Sequence, residues 1–175
     1  MDWYKSIFEL IDMRSFSNLW FWIVLAVMWS SASHWVMGIP YDMITRARRL
    51  GGQAAQDLED ITRVYVNRMV YIVEVSGLWL LGLTCFVISG LAVLGFFYDV
   101  EFAQAVFLLF LPMSFVGALS LRTARDIARR GLIGEDLGKR LSRHRIHTQL
   151  IGTVAIFVTA LWGMYQNLTI GVLGN

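Results

Sequence analysis

The chain predicts an all-α integral membrane protein: four transmembrane helices, an N-terminal amphipathic helix in the membrane interface, and two basic cytoplasmic loops. Three observations predict it. Of 175 residues, 57% are hydrophobic and 16% charged, against roughly a quarter charged in ordinary soluble domains. Four stretches stay apolar over lengths that leave no polar helical face, and in lipid only a self-bonded backbone satisfies its own amides. All but two of the 15 Lys and Arg fall in two segments, 39–68 and 122–147.

Residues 1–14, MDWYKSIFELIDMR, place Trp3, Tyr4, Ile7, Phe8, Leu10 and Ile11 on one helical side and Asp2, Lys5, Glu9 and Asp12 on the other. Such a helix suits the membrane interface. Its acidic residues do not fit a secretory leader, which carries a basic start. The remainder, 15–175, reads as one transmembrane domain. Ser15 or Ser17 is expected to cap the first span, 18–36, with Trp20 and Trp22 at one interface and Trp35 at the other. Gly38 and Pro40 end it.

Beyond Pro40 a basic helix is expected to stop at Gly51-Gly52. A second starts at Gln53, with Leu58, Ile61, Val64 and Tyr65 on one stripe, and runs into a span at 69–98. That stretch exceeds the roughly 20 residues a crossing needs, so tilt or protrusion is expected. A short acidic turn around Asp99 and Glu101 leads to a third span, 102–121, which Pro112 should kink. Gly131, Gly134 and Gly138 are expected to break 122–147 into short helical pieces before the fourth span, 148–167.

Topology follows from charge. The two basic segments are separated by two crossings, so they share a side, and the positive-inside rule makes that side the cytoplasm. Both termini and the acidic turn then face outward.

Few residues offer chemistry. His34 and Glu74 are ionisable groups inside apolar segments at comparable depth, and such groups are costly enough to be functional candidates. A structural hydrogen bond between helices is the plainer alternative. His144 and His147 share a face, but arginines crowd them and a zinc site wants more ligands. Arg46, Arg48, Arg49, Arg122, Arg125, Arg129, Arg130, Arg143 and Arg145 form a basic belt suited to anionic lipid head groups or an acidic docking partner. No aromatic platform accompanies them, so nucleic acid is not expected. Ala155, Thr159 and Gly163 make a row of small residues for close helix packing. Cys85, the single cysteine, supports neither a disulfide framework nor a cluster. No cofactor or metal motif is present, nor a reaction motif, and no internal inverted repeat suggests a transporter.

The stretches RSFSNLWFW, MWSSASHWVMGIPYDM, RHRI and ALWGMYQN resemble a family of small bacterial four-span membrane proteins labelled "component of the SufBCD complex". The resemblance covers nearly the whole chain and implies a membrane anchor or accessory subunit whose basic loops dock an iron–sulfur assembly scaffold. It carries over no functional residue. The expected function is therefore a non-enzymatic accessory, anchoring or assembly subunit of a larger complex. The alternative is a homo-oligomeric small channel or transporter that uses His34 and Glu74.

Overall fold

A computed structural model describes residues 15–173, so the interfacial helix expected at 1–14 lies outside the described residues. After a short 3-10 turn, Ser15–Ser17, the elements are α1 (Leu19–His34), β1 (Trp35–Val36), β2 (Ile39–Pro40), α2 (Tyr41–Leu50), α3 (Gly52–Ala92), α4 (Glu101–Arg130) and α5 (Gly134–Leu173). A π-helical turn, Val93–Phe97, closes α3. Three of these helices, α3, α4 and α5, are long and apolar enough to cross a membrane.

The first expected span differs most. The helix stops at His34, and Trp35 and Val36 pair antiparallel with Pro40 and Ile39. Met37 and Gly38 take φ of 55° and 88°, the left-handed pair a two-residue hairpin turn requires. Space matters as well as backbone freedom at Gly38, because an added Cβ would sit 2.7 Å from the Tyr65 ring. So α1 keeps 16 residues, about 24 Å against a hydrocarbon core of about 30 Å. The four expected spans become three long apolar helices and one shorter one. The cap also differs: Asn18 Oδ1, not Ser15 or Ser17, accepts from the Trp20 N–H at 3.0 Å.

The two basic segments are not loops. Gly51 and Gly52, with φ of 60° and 50°, separate α2 from α3 as expected. Thereafter α3 runs unbroken for 41 residues, about 60 Å, so it continues far past any crossing. Gly131 ends α4 in the left-handed conformation and Gly134 opens α5. Gly138 breaks nothing; it lies buried inside α5, where an added Cβ would make only ordinary contact with Arg48. Pro112 likewise sits within continuous α4.

Two clusters hold these helices. At the basic end Val36, Met37, Ile39, Ile44, Leu58, Val66, Ala124, Ile127, Leu137 and Leu141 pack into one core. This core joins the hairpin, α2, the start of α3, the end of α4 and the start of α5 into a compact head. The apolar half has a smaller centre, where Leu25, Trp29 and Ala155 meet Leu109, Met113 and Ile151. Here α1 lies antiparallel along α5. Ser17 donates to Asn167 Oδ1, Gly163 faces Phe16 and Trp22, and Gly152 faces Trp29. At the head end Gln149 donates to Ser33 Oγ. At the opposite end Gln104 is the hub. Its amide nitrogen donates to Gly95 O and Asp99, and its oxygen accepts from Trp162 Nε1 and Gln166.

Candidate functional site

The head presents the basic belt, and burial of its helices decides where each arginine points. In α2, Ile44 and Ala47 are buried, which turns Arg46, Arg48 and Arg49 outward. In α4, Thr123, Ala124 and Ile127 are buried. Arg122, Arg125 and Arg129, spaced three and four apart, therefore share the opposite, exposed face. In α5, Leu137, Leu141 and His144 are buried, and Lys139 and Arg143 are exposed.

Acids neutralise only part of this charge. Asp126 takes Arg140 at 2.8 Å and Arg130 at 2.6 Å. The Arg140 hydrogen bond, with the Arg130 charge, holds the Asp126 carboxyl below its usual range. Glu135 pairs with Lys139 at 2.8 Å, and that bond lowers Glu135 and raises Lys139. Glu59 is spent on the Gly134 N–H at 2.7 Å, the first amide of α5, a favourable place for a carboxylate.

Two expected belt members are structural. Arg145 donates to Ser33 O at 3.1 Å and lies 3.7 Å over the Tyr41 ring, tying α5 to α1 and α2. Arg130 is the second cation on Asp126. Arg46, Arg48, Arg49, Arg122, Arg125, Arg129 and Arg143 have no hydrogen bond or ion pair among the described residues. Beside Arg48 and Glu135, a groove of about 530 Å³ opens between α2, α3 and α5, floored by Ala47, Ala55 and Leu58.

His144 is 2% exposed at the junction of head and apolar half. Its ring reaches Ser120 Oγ at 3.3 Å through Nε2 and Thr123 Oγ1 at 3.2 Å through Nδ1. The Ser120 proton is already given to Val116 O. Nε2–H must then donate to Ser120, and Nδ1 must accept from Thr123, which assigns the tautomer. Burial, then the Arg140 and His147 charges, push its pKa down to about 4, so it is neutral at pH 7. The sequence pairs His144 with His147 on one face, yet His147 is exposed and His144 serves as an internal bridge. Ser120 and Thr123, three residues apart opposite a lone histidine, were the available signal.

The other candidates are placed as follows. His34 closes α1, exposed, its ring edge-on to Trp35. Glu74 is exposed on α3. Among the described residues its carboxylate has no hydrogen-bond or ion partner, and no bond joins it to His34. Ala155, Thr159 and Gly163 are buried against α1 and the bundle centre. No three of His, Cys, Asp and Glu among the described residues cluster to hold a metal ion. No protein-family model, curated protein or solved structure matches the chain.

Proposed function

We propose that the chain is a non-enzymatic accessory or anchoring subunit of a larger assembly at the bacterial inner membrane, with its head in the cytoplasm as a docking module. The observation that carries this reading is the stripe Arg122, Arg125 and Arg129. It is exposed, unpaired and backed by a packed core. The stripe follows the axis of α4 out of the apolar half, rising about 10 Å from first to last arginine. That is a full screening length at physiological salt. Lipid head groups serve Arg122, at the membrane surface, and leave Arg129 to a soluble acidic surface. The resemblance makes the SufBCD scaffold the first partner to test.

The same reading takes α1 as a fourth crossing, which puts both termini in the periplasm. Its support is the contact of α1 with α5 from Ser17 and Asn167 at one end to Ser33 and Gln149 at the other.

The test is mild extraction from native membranes, native separation and mass spectrometry. A larger assembly should travel with the wild type and be lost from Arg122→Glu/Arg125→Glu/Arg129→Glu. A chain that travels alone in every mild detergent, or an assembly that the triple variant retains, would overturn the docking reading.

A further inference from the structure

Of the three long helices, the one with the most apolar stretch is also the least covered there. The crossing stretch of α3 has mean hydropathy 2.3 with 6% of its residues buried, against 28% in α5. Its inner side borders a cleft of about 630 Å³ with α4, lined from α3 by Met69, Val73, Gly77 and Thr84. Its outer face carries Tyr71, Val75, Leu78, Gly82, Cys85 and Ser89, all exposed. These positions alternate four and three apart, the spacing that keeps one face turned to a parallel partner helix. An added Cβ at Gly82 would meet nothing within 4 Å, so the chain's own packing does not require glycine there.

Three polar groups on this face have no partner within the described chain. They are the Glu74 carboxylate, the Trp79 indole N–H and the Ser89 hydroxyl. Ser89, like Ser30, Ser31 and Ser76 and unlike Thr84, Ser114, Ser120, Thr153 and Thr159, makes no bond to its own helix. Trp79 is 83% exposed. Polar groups facing hydrocarbon are expensive, so something must answer them.

We propose that a second copy of this chain covers the face, in a parallel dimer about a two-fold axis along the membrane normal. The chain supplies both halves of the required match. Every copy inserts with one topology, so a second copy presents the same residues at the same depth. With Val75, Gly82 and Ser89 at the first seam position and Leu78 and Cys85 at the second, Glu74 and Trp79 flank the seam on opposite sides. Flanking residues five apart are the ones that meet across parallel two-stranded helices. The Trp79 N–H of each copy then donates to the Glu74 carboxylate of the other, twice by symmetry. Gly82 and Cys85 let the backbones approach, and the two Ser89 hydroxyls face one another. Arg68 occupies the next seam position toward the head. Its charge meets its own copy, so the helices part there and the contact centres on Gly82.

Cys85 makes the dimer testable in native membranes. Under an added copper–phenanthroline oxidant, two Cys85 thiols should give up two protons and two electrons and form one disulfide. In a Cys85→Ser background, Leu78→Cys and Ser89→Cys should also cross-link. Leu83→Cys, exposed but on another face, should not. Glu74→Leu and Trp79→Phe should each lower the dimer equilibrium roughly sevenfold, two weak membrane hydrogen bonds being lost. The double variant should fall no further than either one. Monomer at every seam position, equal cross-linking from Leu83→Cys, or Cys85 captured by a different protein would overturn the proposal.

Discussion

The head and the apolar half solve opposite problems with the same helices. On α3 the head portion buries Leu58, Thr62 and Val66, four residues apart, on a stripe that faces other helices, and its charges point to water. About three turns later the rule inverts. Leu78 and Trp79 are 84% and 83% exposed, and few polar groups remain, the Thr84 hydroxyl bonded to its own helix among them. The head is held by exclusion of apolar surface from water, a force that operates only where water is the alternative. The apolar half is held by close fit, because lipid is as apolar as leucine.

The sharpest way to break the comparison is one substitution made in both halves. Leu141 is 0% exposed in the head core. Leu141→Ala should cost about 2–5 kcal/mol and open the head to limited proteolysis in micelles. Leu78→Ala should change the fold of a single chain by less than about 0.5 kcal/mol. Equal losses would mean that the head core is not the organising unit.

Fit in the apolar half is probed by Gly152→Ala, whose new methyl would lie 2.6 Å from the Trp29 ring. Overpacking of this kind costs about 1–3 kcal/mol. It should unseat α1 from α5, read as greater Trp exposure to a lipid-phase quencher while head proteolysis is unchanged.

His144 gives the smallest effect and joins the halves. Its pKa is near 4 folded and 6.5 when freed, so the unfolded chain binds more protons in between. Its contribution to stability is complete above pH 6.5 and falls as pH drops from 6.5 toward 4. Melting in micelles should weaken through that window, and His144→Leu should flatten the slope whatever it does to the melting temperature itself. An unchanged slope would place the proton elsewhere.

The apolar stretches, the Gly51-Gly52 break and the Ala155-Thr159-Gly163 row were legible in sequence because each depends on neighbours along one helix. The head was not. Ile44, Leu58, Ile127 and Leu141 sit on four elements, each contributing one narrow stripe that reads alone as the apolar side of a surface helix. Only their convergence makes a core. The belt was legible in its charge and not in its pairing, since Asp126 meets Arg140 across two helices. His34 and Glu74 were matched in depth, but depth carries no information about azimuth. The hairpin escaped because Trp35 and Val36 continue the apolar pattern, and only Met37-Gly38 hinted at the turn.

Gln104 has a consequence for how the protein is made. Synthesis delivers α3 and α4 before α5. Gln104 can turn its amide nitrogen to Gly95 and Asp99 as soon as the α3–α4 pair exists, but its oxygen waits for Trp162 and Gln166. Until the last helix arrives, that oxygen is an acceptor with no donor from α5. The clasp therefore closes only in the complete bundle. A chain interrupted before Trp162 has every charge of the head and still lacks the two donors that close the other end.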